Sequence, residues 1–174
     1  QTHKGLVRLN QNGSIDTSFH IGSGFLSTIF GSDYHVNSIS VQYDNKILVG
    51  GNFINYNGTN VNQLVRLNTN GSLDTTFSNS ITSYFNVQKT VQQPNGKIMV
   101  LVLPTNSTFS DLSILNSDGT LAMDFSTPTI YNASNFGIQT DGKVIVTSAG
   151  YQGNEGQFNW PYNNITQGVT RFDN

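Results

Sequence analysis

One phrase of fifteen residues occurs twice in this chain, and that repetition restricts the possible folds more than any other feature. "GLVRLNQNGSIDTSF" runs from Gly5 to Phe19 and "QLVRLNTNGSLDTTF" from Gln63 to Phe77. The second copy belongs to a longer unit that begins with "VNSISVQYDNKILVGGNF" at Val36 and continues through "INYNGTNVN". A third unit keeps the frame with looser spelling, as "VQKTVQQPNGKIMVLVL" from Val87 and "DLSILNSDGTLAMDF" ending at Phe125. A fourth starts at Ala133 with "ASNFGIQTDGKVIVTSAG" and reaches "GVTRFDN". Gln42, Gln93 and Gln139 fall in register, as do Lys46, Lys97 and Lys143, and Phe19, Phe77 and Phe125. The spacing of 46 to 58 residues is that of a repeat array.

Each unit contains four short strand signals. Runs such as "SISVQ", "KILVGG" and "LVRLN" alternate or are continuously apolar, and they favour β-branched residues. Between them stand "YDN", "PNG", "TDG", "QNG", "TNG" and "SDG", whose Gly or Asn supplies the positive φ of a tight hairpin. No window shows a sustained period of 3.6 residues, so helix is not expected. Four antiparallel strands per unit of this length describe the blade of a β-propeller. The expected fold is therefore all-β, a propeller-type array of four-stranded antiparallel blades. Residues 1–19 form the second half of a blade, 36–77 a blade, 87–125 a degenerate blade and 133–174 a blade lacking its last strand.

The pattern "VNSISVQYDNKILVGGNF…NQLVRLNTNGSLDTTF" resembles the delta-60 repeat family. The likeness is good in the second unit and the half unit before it, fair in the fourth and degraded in the third. It implies propeller-like blades in bacterial surface or secreted proteins and in phage virion proteins. It brings no catalytic residues with it.

A closed propeller needs roughly four to eight blades. Here both "GLVRLN" and "GVTRFDN" supply the same third strand, so the two ends do not complete one blade. The array is expected to be incomplete, and either open or finished by further sequence or other subunits. Uncovered blade faces and strand edges invite such pairing.

Composition narrows the partners. Only 10% of the 174 residues are charged and the net charge is −2, so no basic stripe exists for nucleic acid. There are no cysteines, hence neither disulfides nor thiolate metal ligands. The longest apolar run, Ile98 to Leu103, is too short for a membrane helix, and no signal peptide is visible. Asn, Ser, Thr, Gly and Gln supply a hydrogen-bonding, electrically quiet surface, which suits an extracellular or virion protein. Six sequons, at Asn12, Asn57, Asn70, Asn106, Asn132 and Asn164, include several that hairpin chemistry explains.

Arg8 and Asp16 recur as Arg66 and Asp74, and both vanish together in the third unit, where Ile114 and Ala122 stand. Joint loss points to an Arg–Asp pair linking the last two strands of a blade rather than to a repeated ligand site. The recurrent lysines follow turns and are read as edge-blunting cations. The recurrent glutamines are read as partners of turn backbone, and the recurrent Phe as core. His3, His20 and His35 lack zinc spacing. Glu155 is the sole glutamate, Asp44, Asp118 and Asp141 lie in turns, and no "GxSxG" elbow occurs. No enzyme activity, cofactor or metal is expected; a hydrolase built on scattered aspartates is the least favoured reading.

One stretch breaks the repeat. "YQGNEGQFNWPYNN" (Tyr151 to Asn164) offers Tyr151, Asn154, Glu155, Phe158, Trp160 and Tyr162 as candidates for binding a surface glycan or protein partner. A loop packing its aromatics over an exposed blade is the plainer alternative. "HIGSGFLSTIFGSDYH" (His20 to His35) is a weaker candidate. Together these features lead to the expectation of a non-enzymatic module for structure or attachment on a phage virion or bacterial extracellular surface. The alternative is a lectin-like propeller using the Trp160 loop.

Overall fold

The recurrent turns close hairpins, and the apolar runs between them form strands whose flat faces stack. A computed structural model describes residues 5–26, 34–81, 85–104, 109–122, 129–148 and 169–172. In chain order the strands are β1 (Phe25–Leu26), β2 (Val36–Val41), β3 (Ile47–Gly51), β4 (Asn55–Tyr56), β5 (Thr59–Asn60) and β6 (Leu64–Leu67). They continue with β7 (Phe85–Gln92), β8 (Ile98–Pro104), β9 (Phe109–Leu115), β10 (Thr129–Tyr131), β11 (Ala133–Ile138), β12 (Val144–Ser148) and β13 (Val169–Phe172). No helix occurs among the described residues.

Every blade sheet is antiparallel. The second unit orders its strands β2-β3-β6, the third β7-β8-β9-β10 and the fourth β11-β12-β13. Corresponding residues keep the same register: Leu48 faces Arg66 across β3 and β6, and Met99 faces Ile114 across β8 and β9. The expected fourth strand is the main departure. In "NGSIDTSF" and its two copies it shrinks to one antiparallel bridge, Leu9 to Ile15, Leu67 to Leu73 and Leu115 to Leu121. The backbone beyond the bridge turns instead at Asp16 and Asp74, whose carboxylates accept hydrogen bonds from the N–H two residues on. The full fourth strand of the third sheet is β10, which pairs with the opposite end of β9 and lies beyond the blade boundary drawn at Phe125. The connection "INYNGTN" makes a small hairpin of its own, β4-β5, to which β1 adds a third strand.

The turns explain themselves. Gln42 N–H bonds the Lys46 carbonyl while Asn45 N–H bonds the Gln42 carbonyl, and the same pair of bonds recurs at Asn10, Asn68, Gln93, Asn116 and Gln139. These are three-residue loops of a type I turn followed by one left-handed residue. Glycine fills that last position in five of the six, and Asn45, at φ 63°, fills it in the sixth.

Strands β3 and β8 are buried on both faces, so each is sandwiched between its neighbours. Ile47, Val49, Val65 and Leu67 pack toward the first half unit, with Phe19, Ile21, Phe25, Phe53 and Tyr56. On the other face Leu48 and Leu64 meet Val87, Ile98, Val100 and Leu115. Beyond β8, Met99 and Leu101 meet Phe136, Val144 and Val146. Alternate residues of one strand thus face successive units, and each fully buried aliphatic chain contributes roughly 1.5–3 kcal/mol. This is a β-propeller-type stack, in which every sheet is the floor of the next.

Candidate functional site

The charges written into the repeat sit where one unit meets the next. Arg66 Nε lies 2.7 Å from Asp74 Oδ2, with both side chains nearly buried. Its Nη1 donates to the Ser117 carbonyl at 2.6 Å, its Nη2 to Thr76 Oγ1 at 3.3 Å, and its guanidinium lies 4.8 Å from the Phe77 ring centre. Arg8 repeats the whole arrangement, with Asp16 at 2.7 Å, the Thr69 carbonyl at 2.5 Å, Ser18 at 3.1 Å and the Phe19 ring at 4.7 Å. Thr69 and Ser117 belong to the turn of the following unit. The arginine therefore ties its own segment to the turn that follows the bridge, where a fourth strand was expected, and also reaches across to the next unit.

Backbone follows the same route. His20 N–H bonds the Asn70 carbonyl at 2.8 Å, and Ser78 N–H bonds the Asp118 carbonyl at 2.7 Å. The segments leaving Phe19 and Phe77 are thus laid onto the turn of the next unit.

Two of the recurrent lysines, read from the sequence as edge cations, are paired with carboxylates. Lys46 Nζ is 2.9 Å from Asp74 Oδ2, so that carboxylate holds two cations. Lys143 closes on Asp141 within its own turn, at 2.7 Å. In the third unit Ile114 and Ala122 take the places of Arg and Asp and join the apolar cluster against β12. Replacing both members of a buried pair by apolar groups leaves no stranded charge.

These contacts set the acidities. Burial opposes ionisation of Asp74, but hydrogen bonds from Lys46, Thr76 and Arg66 outweigh it and hold the carboxyl well below the usual range. Ser18, through its hydroxyl and its N–H, and then Arg8 hold Asp16 down to about 2. Thr120 lowers Asp118 in the same way. All three are acceptors at neutral pH rather than proton donors. Burial pushes the Tyr56 hydroxyl upward, and it donates to the Gly71 carbonyl at 2.5 Å.

A polar groove of about 330 Å³ runs across β2, β7 and β11. Its origin is a register shift that recurs at one position in three units, skipping Asn37, Gln88 and Ser134. A bulge re-aims a side chain, and these three line the groove with Lys89 and Asn135. Its donors are turned into its own walls: Lys89 Nζ reaches Asn135 Oδ1 and the Phe136 carbonyl, both at 2.6 Å, and Asn37 Nδ2 reaches Asn86 Oδ1 at 2.6 Å. The bulge has no motif of its own. The only sequence signal was the polar residue directly after the start of each unit at Val36, Val87 and Ala133.

The glutamines also depart from expectation. Gln42 and Gln93 are buried and their side-chain carbonyls accept no hydrogen bond from the described residues, while Gln139 is exposed. Phe19 is core, and Phe77 packs at the edge of the second interface. Tyr151, Asn154, Glu155, Phe158, Trp160 and Tyr162 lie outside the described residues, as do His3 and Phe125. His20 enters the array through its backbone N–H, and His35 N–H bonds Asn52 Oδ1. No group of three or more metal-ligating side chains exists among the described residues.

One family model fits this arrangement. It describes a β-propeller domain of unknown function (DUF5122), and it matches residues 1–19 and 42–77. Those are the two stretches in which the arginine and its aspartate are both kept. No curated protein matches the chain. The stacked antiparallel sheets and this match agree on a β-propeller repeat architecture.

Proposed function

We propose that this chain is a delta-60-type repeat module without enzymatic activity, serving structure or attachment on a phage virion or bacterial extracellular surface. The observation that carries the reading is where the recurrent polar chemistry goes. Arg8, Asp16, Arg66, Asp74 and Lys46 bind strands and units to one another. A residue set repeated for assembly, on a nearly neutral and amide-rich chain, favours a stiff scaffold over a reaction centre. Its partners are further blades or other protein subunits, with a surface glycan as the lectin-like alternative; nucleic acid and membrane insertion are not part of this role.

The test is location. Immunogold labelling with an antibody to this chain should decorate intact cells or phage particles from the source culture. Labelling confined to the interior of broken cells overturns the reading. A glycan array comparing the wild type with Trp160→Ala separates the two forms of attachment, since the lectin role requires binding that the substitution abolishes. Turnover of glycoside or phosphoester substrates by the purified chain would refute the non-enzymatic role.

A further inference from the structure

We propose that the first half unit and the outer face of β2 form an acceptor site for a two-stranded repeat hairpin, supplied by further polypeptide of the same array. The inference rests on the reading of the chain as a module of stacked repeats and names what its open end takes. Three separate observations among the described residues converge on this occupant.

The first is a strand edge. Asp16 N–H bonds the Arg8 carbonyl and Asn10 N–H bonds the Ser14 carbonyl, so the polar groups of Val7 and Leu9 face the other way. Their counterparts Val65 and Leu67 face β3 and pair with it. Among the described residues no strand pairs with Leu6–Arg8 on that side.

The second is an apolar face. Val7 is 43% exposed and Leu9 56%, whereas Val65 and Leu67 in the second unit are 3% and 0%. Ile39 is 53% exposed and Val41 67%, yet the residues matching Ile39 in the next two units, Thr90 and Phe136, are each 2% exposed. Ile39 stands opposite Val49 and Val41 opposite Ile47, so all four point toward the first half unit. Thr90 and Phe136 are covered by the first strand of the unit before them, through Ser38 and Ser40 in one case and Val91 in the other. Ile39 and Val41 await the same strand.

The third is a charge. Asp74 binds both Arg66 and Lys46, the latter carried just ahead of the second strand of its unit. Asp16 has the arginine alone, and its side chain is 21% exposed against 5% for Asp74. A cavity of about 100 Å³ lies beside Leu6, Val7, Arg8 and Asp16. The incoming hairpin therefore carries a lysine directly after its turn, placed to reach Asp16. It also carries an apolar residue at the position of Ser40, to meet Ile39. The result is a complete blade whose second strand zips onto Val7 and Leu9.

The chain itself provides the probe. A copy of residues 36–62 bearing Ser40→Val is joined directly ahead of Gly5, which reproduces the connection that leads into Gln63. The expected result is a rise in Tm of roughly 5 °C. Amide exchange at Val7 and Leu9 should slow at least about tenfold, while exchange in β12 stays unchanged as a check on the fold. Lys46→Ala in the copied hairpin should remove part of the rise, and so should Asp16→Asn, with little further loss when the two are combined. Unchanged exchange at Val7 and Leu9 overturns the proposal. So does full protection that ignores both the lysine and Asp16. Should the fusion not fold, the same hairpin added as a peptide to the unaltered chain must slow those two amides, or the proposal fails. An unaltered chain that sediments as a dimer, and as a monomer once Ile39→Ser is made, would assign the face to a second copy and overturn it too. None of these outcomes depends on where immunogold finds the protein.

Discussion

Asp74 accepts Arg66, Lys46 and the hydroxyl and N–H of Thr76, and is nearly buried while doing so. Truncating Arg66 strips the Ser117 carbonyl and the Phe77 ring of their partner but leaves Lys46 on the carboxylate. Arg66→Ala should therefore cost about 1–3 kcal/mol, below the penalty for a wholly abandoned buried charge. Arg8→Ala removes the same set of contacts from a more exposed site and should cost clearly less. Chemical denaturation of both variants checks this, and equal losses would show that burial does not set the strength of the clamp. Acid offers an independent measurement. The carboxyls of Asp16 and Asp74 sit below their ordinary value of 3.8 in the folded chain, so the unfolded chain binds protons first as pH falls. Their contribution is complete above about pH 4 and is lost on acidification toward pH 2. Tm should fall steeply over that window, and Asp74→Asn should flatten the slope there.

Glycine at the end of a turn carries a second constraint wherever a neighbouring unit lands on it. Gly13, Gly71 and Gly119 hold equivalent places at φ of 83°, 89° and 91°. A Cβ on Gly13 meets nothing, whereas on Gly71 it stands 2.7 Å from the His20 carbonyl oxygen and on Gly119 2.7 Å from that of Ser78. Alanine at Gly13 should cost about 1–2 kcal/mol for its left-handed backbone alone. At Gly71 or Gly119 a further 1–3 kcal/mol should follow, because the previous unit's backbone must shift. Thermal melts of the three variants check the ranking, and equal losses would mean that the exit segments do not rest on the turns. The elements themselves were legible in the sequence, because alternation and Asn-Gly or Asp-Gly punctuation are local signals. The joint loss of Arg and Asp at Ile114 and Ala122 likewise revealed the ion pair. Less visible was everything whose partner is backbone or distant. Arg66 ends on a carbonyl 51 residues away, for which residue type gives no sign. Lys46 meets Asp74 only after the four strands β3 to β6 have folded between them. The small β1-β4-β5 sheet arises from segments that look like connections, and β10 from a three-residue run too short to show a period.

At the scale of the molecule, the apolar clusters of the described residues each join neighbouring sheets, so stability should divide into unit terms and interface terms. The two principal interfaces differ in kind. Between the second and third units the first strands meet through hydroxyls, with Thr90 bonded to Ser38 and Ser40, while the central strands meet through Leu48, Ile98 and Val100. Between the third and fourth units the core of the contact is apolar, with Phe136 set among Met99, Leu101, Val144 and Val146, and polar bonds run at its margin from Lys89 to Asn135 and the Phe136 carbonyl and from Ser110 to the Ala133 carbonyl. Phe136→Ala should cost about 3–5 kcal/mol, and all of that loss falls on the second of these contacts. Native-state hydrogen exchange reads the consequence residue by residue. Amides of β11 and β12 should exchange through a low-energy opening in the variant, while those of β3 and β6, two sheets away, keep their original protection. Equal acceleration in all four strands would mean that the array opens as one body, and the nearest-neighbour picture would fail. The same experiment bears on the acceptor end. With Phe136 intact, the least protected strand residues should be those beside the uncovered face, Leu6–Leu9 and β2, because burial by a neighbouring sheet, rather than local sequence, is what keeps each strand closed.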